Sequence, residues 1–127
     1  MPLTSHQLEI VRQEIAECLG VELDELTPEA NFFEDLGGES IDLLDLSFRI
    51  EKTLGIRPDF SSVRDQLNLA ADESGSLTPE SVERIRSAFP GISPLPAGPI
   101  TAKGLFTISV IEALIGRVVA DQTEPLV

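Results

Sequence analysis

The sequence predicts an all-α fold, and three apolar stripes at helical spacing are what predict it. The first is Leu8, Val11, Ile15 and Leu19; the second is Leu43, Leu46, Ile50 and Leu54; the third joins Val110, Leu114 and Val118 with Ile111, Ile115 and Val119. Side chains three, four and seven positions apart lie on one side of a helix, so each stripe marks a segment with one face turned to a core. Principal helices are expected at about 4–19, 40–54 and 109–120, with shorter helices in the connections. The chain has 127 residues and 42% hydrophobic content, enough for one core, and residues 1–127 are read as a single domain.

Each element has a local reason. Thr4 with Gln7 fits a capping box for the first helix, Leu3 with Leu8 approximates a hydrophobic staple, and Gly20 fits the stop. The connection over 21–39 is long, but Val21, Leu23, Leu26, Phe32, Phe33 and Leu36 anchor it, so it should be packed. Within it Thr27-Pro28 suits the opening of a short helical turn.

The second helix follows the run DLGGES and begins near Ser40. A helix start leaves backbone N–H groups unpaired and carries partial positive charge, so an anion on the Ser40 hydroxyl meets a favourable field. Gly37 and Gly38 clear side chains from beside that hydroxyl. This helix is apolar on two sides. Leu43, Leu46, Ile50 and Leu54 should face the core, while Ile41, Leu44 and Phe48 lie nearly opposite, flanked by Asp42, Asp45 and Glu51. One helix of a small bundle cannot bury both, so the second stripe is read as a partner face.

Beyond Gly55, Asp59 suits the cap of a short helix carrying Phe60, Val63 and Leu67. Ala71 to Leu77 reads as a polar turn. Thr78-Pro79-Glu80 then starts a further helix, about 79–89, with Val82, Ile85, Ala88 and Phe89 as its apolar side. Pro90 to Gly104 holds four prolines and three glycines and reads as loop. Ser109-Val110-Ile111-Glu112 reads as the capping box of the last helix, with fraying from Asp121.

The stretch Asp35-Leu36-Gly37-Gly38-Glu39-Ser40-Ile41 resembles the acyl carrier protein signature D-L-G-x-[DE]-S-[LIM]. The likeness extends upstream through LGVELDELTPEANFFEDLG, residues 19–37, and downstream to Gly55-Ile56. It implies an antiparallel bundle of three main helices with short connecting helices. In that family the matching serine carries 4′-phosphopantetheine, so the resemblance implies that Ser40 receives this group from coenzyme A through a phosphopantetheinyl transferase. The arm then holds acyl groups as thioesters, and catalysis belongs to the partner enzymes. A short third helix about residue 60 would wall the acyl pocket, and the helix from Ser109-Val110 corresponds to the family's last. Residues 71–104, with their inserted helix, are extra to an ordinary member. They are either a surface elaboration or a device that enlarges or covers the pocket or contacts a partner.

Composition sets the partners. Nine Lys/Arg against 22 Asp/Glu give a net charge of −13, which argues against nucleic acid and anionic membranes and for partners with basic patches. Residues 1–60 hold 14 acidic and 4 basic side chains, net −10, and residues 61–127 hold 8 and 5, net −3, so the acid gathers on the Ser40 side. On the carrier reading, Glu39, Asp42, Asp45 and Glu51 meet basic residues of synthases, acyltransferases or the transferase, while Ile41, Leu44 and Phe48 supply apolar contact. Arg49 and Lys52 interrupt that acidic face. No apolar run is long enough to span a bilayer and none reads as a signal peptide, so a cytoplasmic monomer is expected.

Other chemistries fit poorly. The single cysteine, Cys18, permits no internal disulfide and reads as a small core hydrophobe. The single histidine, His6, sits in an exposed first turn with no second metal-binding side chain near it in sequence. Gly38-Glu39-Ser40-Ile41-Asp42 has Asp42 where a hydrolase elbow needs glycine, and nothing matches an EF-hand loop. A peptidyl carrier is the nearest alternative, and the acidity favours acyl cargo over it. An unmodified acidic adaptor is the remaining one.

Overall fold

The computed structural model describes residues 3–90, 92, 95 and 99–123. Helix α1 (Ser5–Leu19) opens with the capping box expected of Thr4 and Gln7: the Gln7 N–H donates to Thr4 Oγ1 at 3.1 Å and the Thr4 N–H to Gln7 Oε1 at 3.0 Å. Gly20 ends it in the left-handed region, φ 68°. Helix α2 (Ser40–Leu54) ends likewise at Gly55, φ 76°. The two helices run antiparallel. Cys18, at the end of α1, reaches Asp42 at the start of α2, while Glu14, one turn back along α1, meets Arg49, two turns on along α2.

Leu46 and Ile50 are fully buried beside Val11 and Ile15 of α1. Leu43 and Leu54, the ends of the same stripe, are only half-buried, and Leu43 lines a cavity beside Ser40. A 3₁₀ turn at Leu23–Glu25 is the first connecting helix, and Thr27-Pro28 forms a simple turn closed by the Ala30 N–H to the Thr27 carbonyl. Arg12 pins this connection by donating to the carbonyls of Leu23 and Leu26 at 3.3 and 2.9 Å.

After α2, Asp59 caps the 3₁₀ turn Phe60–Ser62, which runs into the one-turn helix α3 (Val63–Gln66). Phe60 and Val63 point inward. Ala71 and Leu77 then pair across a tight turn. Helix α4 (Pro79–Ala88) follows, capped by Thr78, whose hydroxyl accepts from the Ser81 N–H at 3.2 Å. Ile85 and Phe89 are buried, as are Leu77 before them and Leu95 and Ile100 after them, all in one cluster with the cores of α1 and α2. Much of the Pro/Gly-rich stretch read as loop lies outside the described residues, at 91, 93, 94 and 96–98.

Helix α5 (Ile108–Thr123) begins earlier and ends later than its pattern indicated. Ser109 and Glu112 are not its capping box. Thr107 is the cap: its hydroxyl accepts from the Val110 N–H at 3.2 Å, and its carbonyl from the Ile111 N–H at 3.0 Å. The N–H groups of Ile108 and Ser109 go to the carbonyls of Ala30 and Pro28. The orphan donors of Ile108, Ser109 and Val110 are thereby satisfied, two of them by a distant loop, and Glu112 turns instead toward Arg12 at 3.5 Å. Asp121 remains within the helix, and the last four residues, 124–127, lie outside the described ones. Among the described residues there is no strand, only three isolated bridges, and no helix is long and apolar enough to cross a membrane.

Candidate functional site

Ser40 is exposed in the first turn of α2, and among the described residues no hydrogen bond engages its hydroxyl. Two glycines place it, for different reasons. Gly37 adopts φ 74°, the left-handed turn that brings the chain round. Gly38 is required by contact: a Cβ there would lie 2.5 Å from the Phe32 ring and 2.7 Å from the Phe32 carbonyl, which accepts the Gly38 N–H at 2.8 Å. The second glycine therefore seats the loop on Phe32 as well as clearing space by the serine.

Phe32 is held in turn by Asn31, which sequence reasoning passed over. The Asn31 side-chain amide donates to the carbonyls of Lys103 and Gly104, both at 3.1 Å, and its oxygen accepts the N–H groups of Phe33 and Glu34. Asp35 closes the turn by accepting the Asn31 N–H at 2.7 Å. With the Phe32 N–H on the Phe106 carbonyl, the serine loop is stitched to the segment entering α5. The legible signal was Asn followed by Asp four positions on, a turn-forming pair.

Beside Ser40 opens a cavity of about 300 Å³, at the small end of ligand-site sizes. Its walls come from α2 (Leu43, Leu44, Ser47), from Phe60, Val63 and Leu69 beyond it, and from Leu77, Leu105 and Phe106. Phe33 leans edge-on between Phe32 and Phe106, with centroids 5.3 and 5.8 Å away. Ser47, the buried polar residue on this wall, returns its hydroxyl to the Leu43 carbonyl at 3.2 Å. Asp59, at the rim, accepts from the Ser61 hydroxyl at 2.6 Å, and that bond holds its carboxyl below the usual range. The inserted helix α4 contributes no wall residue; the flanks of the insertion do, through Leu77, Ala102 and Lys103.

The second stripe of α2 is open to solvent: Ile41 is 68% exposed, Leu44 55% and Phe48 45%. The carboxylates around it have partners already. Asp45 takes a bond from Arg49 at 2.8 Å, which holds its carboxyl below the usual range. Arg57 lies 4.7 Å over the Phe48 ring and 3.3 Å from Glu51. Asp42 accepts the Glu39 N–H at 2.8 Å. Arg49 and Arg57 thus offset part of the acidic charge around the apolar stripe, Arg49 being one of the two basic residues that interrupt this face in the sequence.

Neither Cys18 nor His6 joins the site. Burial, with Asp45 adding to it, pushes the Cys18 thiol up to about 12, which keeps it protonated and unreactive. His6 is exposed. Among the described residues no group of His, Cys, Asp and Glu is arranged to hold a metal. A family model described as "Phosphopantetheine attachment site" matches residues 9–73, from α1 to the turn before α4. No solved structure matches the chain.

Proposed function

The chain belongs to the phosphopantetheine attachment site family, whose domain takes the 4′-phosphopantetheine group, and from that premise we propose that Ser40 bears the arm and that acyl groups are its cargo. The observation that carries this reading is an unengaged serine hydroxyl at a helix start, opening beside an apolar cavity. That arrangement suits a group that is anionic where it joins the protein and carries an apolar load at its far end. The bound arm supplies a terminal thiol that holds the load as a thioester.

The residues of this chain have positioning tasks only. In attachment the Ser40 oxygen forms a bond to the arm's phosphorus, the pyrophosphate link of coenzyme A breaks, the nucleotide bisphosphate leaves, and the serine proton passes to the transferase. Leu43, Leu44, Phe60, Val63 and Leu69 then offer the start of an acyl chain a wall that excludes water. Ile41, Leu44 and Phe48 offer partner enzymes an apolar contact, and Glu39, Asp42, Asp45 and Glu51 orient basic patches around it. Lipid, fatty-acid or polyketide synthases, acyltransferases and the transferase are the partners this surface suits.

The flanks of the insertion adjust the cavity for a particular cargo. Excising the insertion would remove buried Leu77, Ile85, Phe89 and Ile100 and is not a clean test. Leu77→Phe is cleaner: it should shift acyl preference toward shorter chains, and an unchanged preference would return the insertion to a surface elaboration. The carrier reading itself is tested by intact mass after incubation with coenzyme A and a broad-specificity phosphopantetheinyl transferase. One arm should appear on the parent and none on Ser40→Ala. A folded parent that no transferase modifies would leave the unmodified adaptor as the better account.

A further inference from the structure

Ser40 lines a shallow depression together with Phe33, Gly37, Gly38, Glu39, Ile41 and Lys103. Lys103 is its one cation. It comes from the segment between α4 and α5, 63 positions beyond the serine, and its backbone is fixed because its carbonyl accepts from buried Asn31. Its ammonium stands 5.6 Å over the Phe33 ring. That contact leaves the charge free for an anion, since no carboxylate among the described residues lies within 4.0 Å of it, Glu39 included.

A protein with net charge −13 has carboxylates in excess, and leaving a lysine unpaired beside an unengaged hydroxyl points to an anion that arrives later. From this geometry we infer that Lys103 is the positioning residue for the phosphodiester on Ser40, holding it against Phe33 so that the arm leaves toward the neighbouring cavity. The inference rests on the carrier reading and deepens it. A phosphodiester keeps one negative charge at neutral pH, and the ammonium is a mobile point charge on a flexible stem, able to meet it across the depression. Arg64 lines the larger cavity but not this depression, so it has no part in holding the phosphate.

The test is ³¹P NMR of the arm-bearing protein at low and at high salt, on the parent, Lys103→Gln, Lys103→Arg and Arg64→Gln. All four should gain the arm by mass. The parent resonance should move with salt, as an exposed ion pair is screened. Lys103→Gln should displace the resonance at low salt and lose most of the salt response; Lys103→Arg should retain it, and Arg64→Gln should match the parent. Equal resonance and salt response in Lys103→Gln and parent would overturn the inference and leave the carrier reading standing. The same change in Arg64→Gln as in Lys103→Gln would also overturn it. A parent that never gains the arm would sink both.

Discussion

Ser40 and Ser81 each lie in the first turn of a helix, and the two serines have opposite fates. Ser40 of α2 is exposed with its hydroxyl unengaged. Ser81 of α4 is fully buried, and its hydroxyl accepts the Ala70 N–H at 2.7 Å and the Thr78 hydroxyl at 2.9 Å while donating to the Ala70 carbonyl at 3.1 Å. The difference lies in what precedes each helix. Before α4, Thr78 supplies the cap and the Ala71–Leu77 turn folds back, leaving Ala70 to be satisfied by Ser81. Before α2, the chain's hydrogen bonds are met by Asn31 and the Phe32 carbonyl, so nothing draws the serine inward. One helix start is a fastening and the other is a presentation.

If α2 is not held by its start, its inner face must hold it. Leu46→Ala, at a fully buried position, should cost about 2–5 kcal/mol of stability in urea unfolding. A curve indistinguishable from the parent would undo the assignment of that face. Ser81→Ala should cost about 0.5–1.5 kcal/mol, because it removes the hydroxyl that bonds the Ala70 N–H and carbonyl; a neutral result would break the contrast between the two serines.

A pH measurement sharpens the comparison from beneath α2, where Cys18 donates to the Asp42 carbonyl at 3.3 Å. The folded thiol stays protonated toward about 12 against a usual 9.0. Stability from that preference is complete below pH 9 and drains away as pH rises from 9 toward 12. The stability difference between parent and Cys18→Ala should therefore shift steadily over that window, and a difference constant with pH would contradict the buried thiol. The smallest stability effect belongs to Ser40→Ala, within about 0.5 kcal/mol of the parent, although it should abolish attachment of the arm.

How much was legible follows the range over which each feature is decided. The helical stripes, the Thr4 cap, the Asp59 cap and the two-sided character of α2 depend on neighbours within one or two turns, and each is readable as pattern. The opening of α5 was misread because Ser109 and Glu112 satisfy the same local rule as a true box, while the Ser109 N–H that Glu112 would have capped goes to the Pro28 carbonyl. The charge on the α2 face is legible in part: Asp45 and Arg49 are one turn apart and readable as a pair, but Arg57 reaches Phe48 and Glu51 only because the chain folds back after Gly55.

By itself the sequence determined an all-α chain with a serine delivered by two glycines to the start of an amphipathic helix, because periodicity and turn chemistry are local properties. Only the tertiary structure decided what surrounds that serine. Asn31 and Lys103 are 72 positions apart, and no local rule links them. Their hydrogen bond carries the insertion's far flank to the Ser40 loop, closing one side of the cavity with Phe106 and Leu77 and setting a lone ammonium beside the hydroxyl.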